Sequence, residues 1–112
     1  MEEKRVHGAR VQQFIDLTVE DRSLQLLFRG ATADISASGM RLVTSAQLAT
    51  GNGYTFTLRR PPHLVLHGEV RWVEPLNTGG FRAGVHFVRN PTDVDTTLSA
   101  FVEAELNTRP HA

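Results

Sequence analysis

A short polar segment between two apolar runs holds the residue types best suited to chemistry in this sequence. It reads Asp34-Ile-Ser-Ala-Ser-Gly-Met40, so a carboxylate, two hydroxyls and a glycine fall close together. Asp and Ser are common at turns because their side chains bond to nearby backbone, and Gly reaches positive φ without a steric penalty. The segment therefore predicts a bent strand with polar groups held at the bend, and turn chemistry alone would explain it.

A small basic group lies upstream of this segment. Lys4, Arg5 and Arg10 stand in residues 1–10, a polar segment that contains Gly8 and has Met1 and Val6 as its only sizeable apolar side chains. This composition predicts a flexible basic arm, and a frayed terminus is its plain interpretation.

The composition of the chain bounds the classes of function that it can serve. Its 112 residues predict one domain, and 12 basic residues balance 12 acidic ones, so no overall field attracts nucleic acid or an anionic membrane. The absence of cysteine excludes disulfides, thiolate metal sites and a cysteine nucleophile. The N-terminus has no signal-like apolar stretch and no run is long enough to span a bilayer, so we expect a cytoplasmic protein without direct membrane insertion.

Alternation of apolar and polar residues predicts about six short strands separated by turn signals. In residues 63–74, the longest of them, Leu64, Leu66, Val70 and Trp72 are predicted to share one face. No helical pattern separates the strands, which argues against parallel βαβ units and favours an antiparallel barrel or sandwich. The predicted strands span residues 11–19, 24–33, 40–43, 54–58, 63–74 and 81–87.

The last element has a helical pattern instead. Asn90 followed by Pro91 and Asp93 predicts a helix start with Asn90 as the N-cap and Pro91 at the first helical position. Apolar residues then recur at helical spacing and form one stripe, which predicts a helix over residues 90–107 that packs on the sheet. The stripe consists of Val94, Leu98, Phe101, Val102 and Leu106.

The combined motifs resemble the PilZ domain family, the bacterial receptors for cyclic di-GMP. Asp34, Ser36 and Gly39 match the family's DxSxxG signature, placed between an early strand and the next. The resemblance implies a six-stranded antiparallel β-barrel packed by one C-terminal α-helix. It implies a single domain over 1–112, with an arm at 1–10, the barrel at 11–89 and the helix at 90–107. Three further segments are similar to family strands and turns: 51–54, 68–73 with its G-x-V-x-W pattern, and 81–87.

The resemblance also implies a nucleotide site with no further cofactor. Arg5 and Arg10 would bind guanine or phosphate through their guanidinium groups. The carboxylate of Asp34 would accept hydrogen bonds from the N1–H and N2–H groups of guanine. Ser36 would add a hydroxyl bond, and Gly39 would let the ligand approach the backbone closely. The arm would become ordered only when it closes over the ligand.

The arm departs from the family pattern by one residue. The family's RxxxR motif needs an arginine four positions before Arg10, where this chain has Val6 and Arg5 stands five before it. Two hypotheses follow. In one, the domain binds cyclic di-GMP and passes the signal to an unidentified protein partner. In the other, it is a degenerate PilZ domain that acts as a protein–protein interaction adaptor. Under either hypothesis, the domain could act through a partner protein or by self-association. The candidate contact surfaces are the apolar helix face and the outward residues Phe14 and Trp72.

Enzymatic function is not predicted. The five histidines are scattered, and His63 and His67 would lie ~13 Å apart on a strand, too far to share a metal ion. Ser36 and Ser38 lack the strand-to-helix context of a hydrolase nucleophile. A nucleic-acid-binding barrel is disfavoured by the balanced charge.

Overall fold

Within residues 9–21, 23 and 25–108, which the computed structural model describes, the chain forms seven strands and one helix. The helix, α1, spans Thr92–Thr108. The strands are β1 (Arg10–Val11), β2 (Asp16–Glu20), β3 (Leu26–Ser36), β4 (Gly39–Thr44), β5 (Gly53–Leu58), β6 (Val65–Pro75) and β7 (Phe81–Phe87).

Six of the strands close into an antiparallel barrel. Their order is β3–β2–β5–β6–β7–β4, and β4 pairs with β3 to complete the ring, while β1 adds a short pairing at the end of β3. The predicted six-stranded barrel with a C-terminal helix is confirmed. Alternate side chains point into the barrel and form its core, which includes Leu17, Val19, Ile35, Leu42, Phe56, Leu58, Leu66 and Val70.

The first predicted strand is interrupted where it runs along β3. β1 pairs Val11 with Ile35, and β2 pairs Asp16 with Ala31. Five steps along the first strand therefore match four along β3, so residues 12–15 accommodate one extra residue as a bulge does. The interruption gives β1 its own register on β3, and this register sets the position of Arg10.

The buried hydroxyl of Thr32 satisfies the backbone groups that the interruption frees. The amide of Ile15 donates to Thr32 Oγ1 at 3.0 Å, and the amide of Thr32 donates to the Ile15 carbonyl at 3.0 Å. The same hydroxyl donates to the carbonyl of Gln13. Phe14, between these bonded residues, points outward with 78% of its surface exposed, as predicted.

A second irregularity decides the position of Trp72, which the sequence analysis placed both on the face of Val70 and among the outward residues. The register of β6 against β7 shifts between Val70 and Trp72. Because one extra residue reverses the faces of a strand, Trp72 does not share the buried face of Val70. It lies on the outer face opposite Gly84, with 37% of its surface exposed.

The helix packs against β1 and β3 through the predicted apolar stripe. Leu98 and Val102 are buried, which confirms that this stripe faces the barrel. Polar contacts at its C-terminal half join Gln13 to Glu105 and bring Arg60 within 3.8 Å of Glu105. No helix among the described residues is long and apolar enough to cross a bilayer.

Asn90 does not cap this helix as the sequence suggested. Its side-chain oxygen accepts from the amide of His67 at 2.8 Å, and its side-chain nitrogen donates to the carbonyl of His67 at 3.1 Å. The first helical hydrogen bond runs from the amide of Asp95 to the carbonyl of Pro91. Asn90 therefore holds the segment between β7 and α1 against β6.

We expect Thr32→Val to destabilise the fold by about 1–3 kcal/mol, because the buried amide of Ile15 loses its acceptor. Urea unfolding of the purified chain would measure the loss. Thr57→Val is the matched control, because Thr57 is half-buried on β5 and this substitution makes the same change in side-chain shape. Equal stability of the two variants would contradict this role of Thr32.

Candidate functional site

A buried carboxylate joins two arginines at the bend between β3 and β4. Arg10 Nη1 donates to Asp34 Oδ1 at 2.9 Å, and Arg41 Nε donates to Asp34 Oδ2 at 2.7 Å. The side chain of Asp34 is only 7% exposed, whereas the two arginines are exposed over 43% and 44% of their side chains. The cluster therefore presents guanidinium groups to solvent above a buried anion.

The strand registers explain this meeting. β1 places Arg10 opposite Ser36, two residues from Asp34, and the β3–β4 pairing places Arg41 directly opposite Asp34. The hydrogen bond and the negative charge of Asp34 raise the pKa of Arg41 above its ordinary value. A carboxylate accepts about four hydrogen bonds, so Asp34 keeps some capacity for a further donor.

A row of outward positions continues from this cluster across four strands. Asp34 on β3 faces Arg41 on β4, Arg41 faces Gly84 on β7, and Gly84 faces Trp72 on β6. The indole lies directly on the backbone of Gly84, because a Cβ at that position would overlap its ring atoms. The absence of a side chain at Gly84 therefore allows the indole to pack on β7.

Gly84 and Trp72 line a groove of about 330 Å³ on the outside of the barrel. The side chains of Arg10, Arg41, Arg71, Trp72 and His86 line it. Guanidinium groups bind phosphate or the edge of guanine through paired hydrogen bonds, and an indole ring stacks on planar groups. The groove thus has the chemistry to bind an anion that carries aromatic rings.

Ser36 and Gly39 shape the bend that carries this site. Ser36 Oγ accepts from the amides of Gly39 at 3.2 Å and Ser38 at 3.3 Å, and it donates to the Gly39 carbonyl at 3.1 Å. A Cβ on Gly39 would overlap the carbonyl oxygen of Val85, so the close approach of β7 requires glycine here. A contact from either residue to a ligand stays a prediction.

The structure adds residues that the sequence interpretation missed. Arg41, Arg71 and Trp72 line the groove, while Arg5 lies outside the described residues. A two-residue turn at 37–38 places position 34 opposite position 41, so hairpin pairing was a usable signal for Arg41. No comparable signal existed for Trp72, because its exposure depends on the bulge in β6.

A larger groove of about 570 Å³ lies across β5 and β6. Tyr54, His67 and Arg89 contribute to its lining, and none of the predicted site residues that the structure describes does. Among the described residues, no group of three or more His, Asp or Glu side chains is placed to hold a metal ion. The groove that includes Arg10 is therefore the candidate site, on the grounds of its residue chemistry.

Comparison with known proteins matches the chain to one family and one fold. The model of the PilZ domain family matches residues 2–104. A search of curated proteins gives no significant match. Similar solved structures include the PilZ domain of YcgR from Escherichia coli with c-di-GMP, at 11% identity and a TM-score of 0.69, covering 88% of each chain. The PilZ domain of CeSA from a cellulose-synthesizing bacterium has 16% identity and a TM-score of 0.66, covering 87% of this chain and 97% of that one.

A third similar structure is longer than this chain. The inhibitor of motility MotI/DgrA from Bacillus subtilis has 16% identity and a TM-score of 0.70. The match covers 90% of this chain but 51% of that protein, so this chain spans about half of its length.

We expect Gly84→Ala to displace the indole of Trp72 from the groove floor, because the new methyl group would occupy the place of its ring atoms. Since Trp72 is the single tryptophan of the chain, its fluorescence reports this movement directly. The emission should shift to longer wavelength and become easier to quench with acrylamide. Ser38→Ala, a small change at the other side of the groove, should leave both unchanged. An unaltered spectrum in Gly84→Ala would contradict the contact.

Proposed function

The chain belongs to the PilZ domain family, and we propose that it is a receptor domain for cyclic di-GMP that passes ligand binding to a partner protein. The observation that carries this proposal is the Arg10–Asp34–Arg41 cluster at the edge of a groove with an exposed indole. The proposal describes a binding module of the cytoplasm, with neither catalysis nor a further cofactor.

The chemistry of the groove suits the proposed ligand. Cyclic di-GMP carries two phosphates and two guanines, so it needs both cations and flat surfaces. Arg10, Arg41 and Arg71 supply guanidinium groups, and Trp72 supplies a ring on which a guanine stacks. Asp34 supplies the acceptor for the guanine N1 and N2 hydrogens. The solved complex of the YcgR PilZ domain with c-di-GMP, which has the same fold, supports this choice of ligand.

The sequence predicts an arm that becomes ordered only on binding, and the new contacts must outweigh the free-energy cost of that ordering. Fixing one backbone residue costs about 1–2 kcal/mol, and a hydrogen bond to a charged group contributes about 1.5–3 kcal/mol. Arg10 is already held by the pairing of β1 and by Asp34, so it adds little to this cost. The one-residue departure from the family spacing therefore lies before Arg10, on the side of Arg5.

The adaptor hypothesis remains the second candidate. Both oxygens of Asp34 already accept from arginines, so the carboxylate is satisfied without a ligand. Phe14 and Trp72 also expose large apolar side chains that a protein partner could cover. In this alternative, the cluster stabilises the barrel and the output surface acts without a nucleotide.

Calorimetric titration with cyclic di-GMP tests the two candidates. We expect binding by the native chain and at least about tenfold weaker binding by Arg10→Ala and by Asp34→Ala, since tenfold corresponds to about 1.4 kcal/mol, close to one charge-assisted bond. Arg29→Ala is the matched control, because Arg29 is an exposed arginine of β3 outside the groove. Thermal unfolding would verify that each variant is folded.

Two results would contradict the receptor proposal in different ways. If the native chain gives neither heat nor a thermal shift at saturating nucleotide, the receptor function is lost and the adaptor hypothesis replaces it. If Asp34→Ala binds as tightly as the native chain, the ligand occupies another site.

The arm spacing can be tested by a single deletion. Removal of Val6 restores the four-residue step from Arg5 to Arg10. We expect tighter binding of cyclic di-GMP by this variant, because both guanidinium groups then reach the ligand with the family geometry. Removal of Glu3 is the control, since it shortens the arm without changing that step. Equal affinity of the two deletions would show that the spacing is unimportant.

A further inference from the structure

His86 is a fourth basic side chain of the groove that contains Arg10, Arg41 and Arg71. Its neighbours Val85 and Phe87 point into the barrel, so His86 points outward. It lies opposite Gly39 on β4 and opposite Glu69 on β6. Because Gly39 has no side chain, nothing at that position screens the imidazole from the groove.

The charged groups around His86 come from every strand packed beside it. β4 contributes Arg41, β1 contributes Arg10, and β6 contributes Arg71 and Glu69. The nearest acids are already engaged, since Glu69 lies 3.4 Å from Arg71 and Asp34 on β3 accepts from Arg10 and Arg41. On β7 itself, Arg82 pairs with Glu74 and lies over the ring of Trp72, 5.8 Å from its centroid.

The imidazole of His86 is available for a ligand. Within the part of the chain that the structure describes, its nitrogens make no hydrogen bond or ion pair. Histidine is the side chain whose charge ordinarily changes between about pH 5 and 8. A ligand with two phosphates favours the positive charge of an imidazole that contacts it. Ligand binding and protonation should therefore support each other.

We propose that His86 contacts the ligand's phosphates and makes the affinity for cyclic di-GMP rise as the pH falls from about 8 to about 6. The inference rests on the proposed receptor function. The sign follows from linkage, because a bound state that holds one more proton is stabilised by added protons. Arginines stay charged throughout this range, and the phosphodiesters of the ligand stay ionised. The arginines therefore do not produce the effect.

Titration of the full chain with cyclic di-GMP at about pH 6, 7 and 8 tests this inference at constant ionic strength. We expect the Kd of the native chain to fall by about fivefold or more from pH 8 to pH 6, since one linked proton allows at most about tenfold per pH unit. His86→Gln keeps a polar side chain but does not titrate, so its Kd should be nearly independent of pH. His67→Gln, an exposed histidine on β6 outside this groove, should behave like the native chain.

His7 needs its own variant because it stands between Arg5 and Arg10 in the arm. If His7→Gln loses the pH dependence and His86→Gln retains it, the linked proton belongs to the arm and the inference is overturned. Binding by the native chain with a Kd that does not vary with pH also overturns it. Absence of binding at every pH removes the receptor function itself, so the two failures are distinguishable.

Nuclear magnetic resonance gives a second, direct measurement. The imidazole signals of the five histidines can be followed against pH, and His86→Gln identifies the signal of His86. Saturating cyclic di-GMP should move the titration midpoint of that signal to higher pH. A midpoint that is the same with and without the ligand would contradict the contact, whatever the calorimetry shows.

Discussion

The ion pairs of Asp34 are the interaction on which the site depends. A buried carboxylate is costly unless it is paired, and Arg10 and Arg41 both pair with it. These contacts join three strands: β1, which carries Arg10; β3, which carries Asp34; and β4, which carries Arg41. The two arginines thus compensate for the burial of the carboxylate, and the carboxylate in turn holds Arg10, the last residue of the N-terminal arm, on the barrel.

Two irregularities and two glycines make the groove around this cluster. The interruption at 12–15 gives β1 its separate register, and the bulge before Trp72 turns the indole outward. Gly39 allows β7 to approach the bend closely, and Gly84 provides the bare backbone on which the indole lies. Bulges often reorient side chains next to functional sites, and here each one places a residue at the groove.

Charge in this protein is local rather than global. The chain as a whole has a formal net charge of zero, yet the groove collects three arginines and a histidine from four strands. Local clusters of one sign of charge can attract a small anion even where the net charge of a protein is zero. β1 and the residues that follow it also support α1, since Val11 is buried in the core and Gln13 bonds to Glu105. The arm, the barrel and the helix therefore meet within a few residues.

The sequence by itself determined the architecture and half of the candidate site. Strand periodicity depends only on the local backbone, so the alternating residues predicted an antiparallel barrel or sandwich, and the helical stripe predicted α1. The motif that begins at Asp34 carried the family resemblance, which implied the six-stranded barrel. Only the tertiary structure joined Arg41 to Asp34, placed Trp72 outside the barrel and gathered Arg71 and His86 into one groove. The physical reason is register: a single extra residue in a strand reverses every face beyond it, and periodicity does not reveal where that residue is accommodated.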